Sequence, residues 1–522
     1  MVSSSAPMLW RVPVLRALFA ILGLHLCAFA AGQTADESPP EDPLAQILES
    51  LGLPFVPPGF RERFHVGRVQ PPPVRADPPP APGFMPAEWE PAVGVFVAWP
   101  RNLTDNLLTA LAANVPLQVI ADEGTEDEAR NWFRDRLPES RFRILSAPKN
   151  SGYPRDIGPQ LVFDSAGQPY LIEQPSRGGP QFGLETSLER RDEPTLTLYD
   201  PATLDERVAP AIARQLALPV LRFGGFLTGG NFLVDGLGGA FYSDAQLDEN
   251  YPIMPPAEFE SAISEYLGIS RPGALENFAA FGIQHLDTWM KVLDPYRILV
   301  IRPPPGHPEE APTERNLARL EKMRTFDGRR WEILRIDTPA VSRQREWPRH
   351  IGTAAYTNSL ILNDTIYVPL YGIPEDDDAL ETWRRAMPGY EVLGFESEEW
   401  RTFDAIHCRT RALFDPDMLR ITPLEVKQSA PGKLSIRARI VSYSGAELIP
   451  SELALHWRKS DAGSFHVSHL VPEGPEHVYG AAVPELRDGK RLQYYFTAAD
   501  LSGRRISAPT VAPMGGPYIY TP

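Results

Sequence analysis

Cysteine is nearly missing from this chain: 522 residues carry two, Cys27 and Cys408. Cys27 lies in an apolar N-terminal segment laid out like a secretory signal, so the exported chain is expected to keep Cys408 alone. A lone thiol has no disulfide partner within its own molecule and is either a small buried hydrophobe or a reactive group. Close metal-ligand pairs are missing too. No Cys-x-x-Cys or His-Glu-x-x-His occurs, so a zinc site built from Cys408, His407 and His285 has little behind it, and neither a metal nor a cofactor is expected. Basic excess is missing: 51 Lys and Arg stand against 67 Asp and Glu, a formal charge of -16. Such a surface repels phosphate backbones and anionic bilayers, which argues against nucleic acid as a partner and favours a cationic ligand. No apolar run after residue 31 is long enough to cross a bilayer, and Ala17–Ala30 itself falls short of the roughly 20 residues a spanning helix needs.

That run follows Arg11 and Arg16 and ends in Ala28-Phe29-Ala30, the three-part layout of a cleavable export signal over residues 1–31. Leu24-His25-Leu26-Cys27 puts bulky residues where a lipoprotein box needs small ones, so a lipid anchor is not expected. The chain is therefore expected to be secreted, periplasmic or at the cell surface, with no stable membrane span after cleavage. Proline is plentiful by contrast. Residues 32–84 contain Pro39-Pro40, Pro57-Pro58, Pro71-Pro72-Pro73 and Pro78-Pro79-Pro80, which favours an extended linker or wrapped arm, with a short helix at Leu44–Leu51 as its one regular element.

From Met85 short β-type runs alternate with stretches of helical period. Strands are expected at Gly94–Trp99, Leu117–Ile120, Arg143–Leu145, Gln160–Phe163, Tyr170–Ile172, Val220–Phe223, Asn231–Val234, Ala240–Tyr242, Arg297–Ile301, Trp331–Ile336, Ser359–Leu362 and Thr365–Leu370. Helices are expected at Leu103–Asn114, Glu126–Arg136, Leu204–Leu216, Pro256–Leu267, Glu314–Thr325 and Ala379–Met387. Turn residues such as Asn363-Asp364 between paired strands point to hairpins rather than uniform crossovers. The result is an α/β domain over residues 85–415, built from units of a helix with two or three strands. From residue 416 to 522 helical period fades and alternating runs such as Leu434–Ile440 and Leu492–Ala498 take over. About a hundred residues of that rhythm fit an immunoglobulin-like β-sandwich acting as a non-catalytic stalk.

Three stretches put polar groups where a bland strand or turn has no need of them. In Tyr153-Pro154-Arg155-Asp156-Ile157-Gly158 the aspartate sits between Pro and Gly breakers and, taken alone, is a turn residue. His285 and Asp287, at i and i+2, share one face if the backbone is extended. Asn358 in Tyr356-Thr357-Asn358-Ser359 precedes a strand, where an asparagine often bonds its own backbone. Around the thiol, His407 precedes Cys408, and Arg409 and Arg411 follow it, a setting expected to favour thiolate. Together, Cys408, His285, Asp156, Asp287 and Asn358 suit attack on a cationic sp² carbon. A thiolate is the nucleophile, carboxylates grip a guanidinium, and an imidazole moves protons.

The runs Met85-Pro86-Ala87-Glu88-Trp89-Glu90-Pro91, Arg155-Asp156-Ile157-Gly158-Pro159, Gly229-Gly230-Asn231, His285-Leu286-Asp287-Thr288-Trp289, Tyr356-Thr357-Asn358-Ser359 and Ile406-His407-Cys408-Arg409-Thr410 resemble, in the same order, the bacterial peptidylarginine deiminase and agmatine deiminase family of guanidino-group-modifying enzymes. The resemblance covers about Met85 to Phe414. It implies a pentein fold, five ββαβ units arranged as a propeller around a substrate channel. It also implies Cys408 as nucleophile, His285 as general acid and base, Asp156 and Asp287 as the carboxylates on the guanidinium, Asn358 as a polar support and Tyr153 as an aromatic wall for the substrate's stem. Arg177, Arg190 and Arg191 lie where relatives that prefer C-terminal arginine hold its carboxylate, though no motif singles one out.

The leading expectation is a secreted hydrolase that converts peptidyl-arginine to citrulline and ammonia. Its partner is then an arginine-containing peptide or protein, or a small guanidino substrate. Agmatine deimination to N-carbamoylputrescine is the alternative within the class. A secreted binding protein on a catalytically inactive pentein scaffold is the alternative outside it.

Overall fold

The computed structural model describes residues 76–77, 81, 83–174, 204–250, 254–277, 285–341, 352–459, 463–474, 477–484 and 491–521. The signal segment with Cys27, most of the proline-rich arm including Leu44–Leu51, and Arg177, Arg190 and Arg191 lie outside them. No helix among the described residues is long and apolar enough to cross a membrane.

One small motif recurs five times between residues 92 and 414: an antiparallel pair of strands, a helix, and a third strand parallel to the second. It occurs with strands Leu161–Phe163, Pro169–Glu173 and Val220–Arg222 and helix Val208–Leu216. The next copy has strands Phe232–Val234, Gly239–Ser243 and Arg271–Leu275, with helices Asp244–Asn250 and Pro256–Leu267. A third has Met290–Val292, Arg297–Arg302 and Glu332–Asp337 around Glu310–Leu320. A fourth has Leu360–Leu362, Thr365–Leu370 and Glu391–Glu396 around Asp376–Ala386. The fifth is joined from both ends of the domain. Arg411–Phe414 pairs antiparallel with Ala92–Trp99, which runs parallel to Leu117–Ala121 beyond helix Asp105–Asn114. A further parallel strand, Phe142–Ser146, extends that sheet.

Local chemistry explains the motif. Thr365–Leu370 is almost wholly buried, as a strand with a helix over one face and neighbours on both sides must be. The preceding hairpin turns at Asn363, whose positive φ of 55° is one asparagine tolerates. Helix Asp376–Ala386 starts with three aspartates and ends with Arg384 and Arg385, each sign at the dipole end that stabilises it. The expected strands and helices are present with shifted ends, the helix near residue 314 beginning earlier, at Glu310.

After residue 415 two antiparallel sheets enclose a single apolar cluster that includes Ile436, Ile440, Leu455, Leu492 and Phe496. These sheets do not hang free of the α/β domain. Arg420 is buried in a forked ion pair with Glu90, Nη2 to Oε1 2.7 Å and Nε to Oε1 2.9 Å, and its guanidinium lies 3.6 Å from the Phe84 ring centroid. Tyr443 packs 4.8 Å from Phe163, which stacks on Phe84 at the same spacing. Across a second contact Tyr296 meets Tyr518 edge-on at 5.5 Å. Phe84, read as the end of the arm, already exchanges backbone hydrogen bonds with Phe163.

Candidate active site

Tyr153 apart, each candidate residue sits two to five positions before the first strand of one of the five motifs. Asp156 precedes Leu161, Gly230 precedes Phe232, His285 and Asp287 precede Met290, Asn358 precedes Leu360, and Cys408 precedes Arg411. Equivalent lead-in turns of five similar units therefore deliver their side chains to one place.

Cys408 Sγ, a ring nitrogen of His285 and a carboxylate oxygen of Asp287 lie within 4.8 Å of one another, and all three residues are buried. The trio is also compact enough to seat a soft divalent cation, although no step described below calls on one. His285 and Asp287 do not converge along an extended strand, as the i, i+2 reading assumed. His285 is extended, but Leu286–Thr288 is a single 3₁₀ turn held by the Asp287 N–H donating to Gly230 O at 3.1 Å and the Thr288 hydroxyl donating to His285 O at 2.8 Å. Gly230 explains its own identity. A Cβ there would stand 2.6 Å from His285 Nδ1 and 2.7 Å from Asp287 Oδ2, so only glycine lets the imidazole and carboxylate lie against that backbone.

Asn358 does not bond its own backbone through its side chain. Its Oδ1 accepts from the N–H groups of Ala405 at 3.1 Å, His407 at 3.0 Å and Cys408 at 3.3 Å, and its Nδ2 donates to Cys408 Sγ at 3.1 Å. One amide thus shapes the nucleophile's turn and touches the sulfur. Asp156 ends up in the one-turn helix Pro154–Ile157. The hydroxyl of Tyr153 donates to Asp404 Oδ2 at 3.2 Å, which fixes its ring on the Cys408 side of the site.

The expected thiolate is corrected by the surroundings. Arg409 is consumed by Asp404, with Nη2 to Oδ2 2.7 Å and Nε to Oδ1 3.0 Å. Arg411 turns away to the carbonyls of Pro154 and Arg155. Burial and then Asp287, Asp404 and Asp156 push the Cys408 thiol well above its ordinary range, against the Asn358 amide and the charges of Arg155 and Arg409. These surroundings favour the protonated thiol when no ligand is bound. Burial and Asp287 likewise push Asp156 up to about 7. Asp287 goes the other way: burial opposes ionisation, but the hydrogen bond and charge of His407 hold it below the usual carboxylate range.

Asp287 Oδ1 and Asp156 Oδ1 are both buried and have no hydrogen-bond partner among the described residues. Buried polar atoms are nearly always satisfied, so two such carboxylate oxygens beside a cysteine leave the site able to accept from a bound N–H donor.

Sequence reasoning passed over the layer beneath. His407 Nδ1 is 2.6 Å from Asp287 Oδ2, and His407 Nε2 is 3.3 Å from Glu88 Oε2. Glu88 is paired with Lys291 at 2.6 Å, and the Lys291 ammonium donates to Ser359 O at 2.6 Å. Arg155 Nε donates to His407 O at 3.0 Å. Apart from Asp287, these residues have no place in the expected substrate-gripping set: Glu88, Arg155, Ser359 and His407 lie within stretches quoted above, Lys291 lies two residues beyond one, and His407 is weighed there only as a neighbour favouring thiolate and as a zinc ligand.

Comparison with known proteins places the chain in a family. A model of the Porphyromonas-type peptidyl-arginine deiminase family matches residues 84–413, and the chain belongs to that family of guanidino-group deiminases. Among curated relatives, the agmatine deiminase of Pseudomonas syringae pv. tomato is 26% identical over 374 residues, covering 64% of this chain and 96% of the relative. That of Pseudomonas putida is 25% identical over 375 residues, with 64% and 96% covered. The solved agmatine deiminase of Enterococcus faecalis superposes with a TM-score of 0.54 at 22% identity, over 64% of this chain and 96% of that one, so the mixed α/β fold is shared.

Proposed function

We propose that this protein is an exported deiminase that hydrolyses the guanidinium of peptidyl-arginine to citrulline and ammonia through a covalent thiouronium on Cys408. The observation that carries the reading is the pair of orphaned oxygens, Asp156 Oδ1 and Asp287 Oδ1, beside a buried thiol. A guanidinium placed between the two carboxylates offers each an N–H pair. Its charge offsets the acids that keep the thiol protonated, so binding the substrate activates the nucleophile. The thiol proton passes to His285, sulfur attacks the guanidinium carbon, and the C–N bond breaks as His285 protonates the departing ammonia. Water then gives a proton to His285 and attacks the thiouronium carbon. The C–S bond breaks, leaving a ureido group and a regenerated thiol, with one water consumed and one ammonia released. Tyr153 lines the path of the substrate's aliphatic stem. We read the five motifs as blades of a propeller around the substrate channel, and the C-terminal sheets as an immunoglobulin-like module.

The family's peptidyl-arginine description, the export signal and the C-terminal sheets beyond the matched region favour a peptide substrate. The names of the curated relatives favour a second reading, agmatine deimination. Incubation with an arginyl peptide, free arginine and agmatine separates the two. Mass spectrometry is expected to show a gain of about 1 Da on the peptide as nitrogen is exchanged for oxygen, with ammonia released faster than from agmatine. Faster turnover of agmatine overturns the peptide preference. Inertness toward all three, with Cys408→Ala indistinguishable from the parent, supports a binding protein instead.

A further inference from the structure

The imidazole of His407 stands behind the site rather than in it. Its Nδ1 is 2.6 Å from Asp287 Oδ2, and that same oxygen is 3.7 Å from Cys408 Sγ. Besides the ring, the thiol is a side-chain donor that reaches Oδ2, and a fully buried carboxylate deprived of a donor takes up a proton. The second outcome removes the negative charge that grips a cation, and the first ties down the nucleophile. The ring is braced in turn. Glu88 Oε2 lies 3.3 Å from its Nε2, while Glu88 is itself held at both oxygens, Oε1 by the Ile361 N–H at 3.0 Å and Oε2 by Lys291 at 2.6 Å. From the backbone side, Asn358 Oδ1 accepts the His407 N–H and Arg155 Nε donates to the His407 carbonyl, both at 3.0 Å. A residue held at four points, two on its ring and two on its backbone, presents one N–H along one line.

We propose that His407 and Glu88 are positioning residues: the ring, backed by Glu88, saturates Asp287 Oδ2 and so leaves Oδ1 as the aimed, ionised acceptor for a guanidinium N–H. This rests on the deiminase reading for its catalytic meaning, though the arrangement itself is testable without turnover. His407→Ala removes the donor, His407→Asn returns an N–H close to the place of Nδ1, and Glu88→Gln keeps the shape but loses the charge that braces the ring.

Two measurements are made on each full-length variant and on the parent. The first is steady-state hydrolysis of an arginyl peptide and of agmatine. The second is the rate of Cys408 alkylation by cationic 2-chloroacetamidine relative to neutral iodoacetamide, which reports the carboxylate grip alone. His407→Ala is expected to raise KM and lower kcat/KM on the order of 10- to 100-fold, the weight of one lost charge-assisted hydrogen bond, and to erase the preference for the cationic reagent. His407→Asn is expected to restore most of both, and Glu88→Gln to fall between. Equal defects in His407→Ala and His407→Asn with KM unchanged, or an undiminished cation preference in His407→Ala, overturn the proposal. If His407→Ala fails to fold, His407→Asn and Glu88→Gln decide: a cation preference lost in His407→Asn, or a Glu88→Gln equal to the parent in both measurements, overturns it. A parent that turns over no guanidine yet prefers the cationic reagent, with that preference lost in His407→Ala, defeats the deiminase reading and leaves the positioning role standing.

Discussion

In the proposed reaction Asp156 and Asp287 serve one cation from opposite protonation regimes. With its folded value raised to about 7 by burial and Asp287, Asp156 is mostly protonated below neutrality, and a guanidinium must displace that proton to bind. Activity on arginyl peptide, measured as kcat/KM, is therefore expected to fall as pH drops through about 7. Asp156→Asn should remove this limb together with most of the activity, since a neutral amide grips a cation far less tightly. Profiles of both proteins over a common pH range check this, and an acid limb unchanged in Asp156→Asn would contradict it. The raised Cys408 value acts at the other end. Because burial and three acids hold the thiol well above an ordinary value of 9.0, iodoacetamide should alkylate the unliganded protein at a rate that is still rising past pH 9, and a bound guanidinium analogue should move that rise downward. A rate that levels off near pH 7 would mean that the sulfur is a thiolate at rest.

At the scale of the element, the lead-in turns carry the site, and two of them rest on single residues. Asn358→Ala removes three acceptor bonds from the turn at Ala405–Cys408 along with the donor to sulfur. Leaving buried N–H groups unpaired costs about 1–3 kcal/mol apiece, so both a lower melting temperature and a loss of turnover are expected. Gly230→Ala should separate those two effects. Its new methyl meets His285 and Asp287 rather than the apolar core, so turnover should fall steeply while the melting temperature moves little. A comparable loss of both would place the strain in the fold instead.

The same scale explains what could be read from letters alone. Runs such as Thr365–Leu370 and Pro256–Leu267 declare themselves by apolar spacing, and the five polar residues by their company. The strand Arg271–Leu275 hides because Arg-Pro-Gly opens it, and Arg411–Phe414 because its partner lies at the far end of the domain. Glu88 and Lys291 went unassigned because a charge gives no sign in sequence of being buried, and His407 was weighed only as a neighbour of the thiol and a zinc ligand. Their proximity depends on a strand of one motif, Met290–Val292, and on the segments that enter two paired strands of another, Ala92–Trp99 and Arg411–Phe414. The thiolate expectation failed for a related reason: that Arg409 would be neutralised by Asp404, five residues upstream, is a property of the turn and not of the spacing.

For the molecule as a whole, the C-terminal sheets are a docked partner of the α/β domain rather than a stalk. Arg420→Met leaves Glu90 buried without its cation, a change of the kind that costs about 3–5 kcal/mol. A substantially lower unfolding midpoint is expected by calorimetry, and an unchanged one would show that the pair contributes nothing to cohesion. The segment from Ala87 to Glu90 gives the contact a further meaning, because Glu88 faces inward to His407 and Lys291 while Glu90, two residues on, faces outward to Arg420. Swapping the terminal module for one from an unrelated protein would thus loosen the backbone that carries Glu88. Any chimera meant to redirect this enzyme to new surfaces has to bring its own arginine to Glu90 if turnover is to survive the graft.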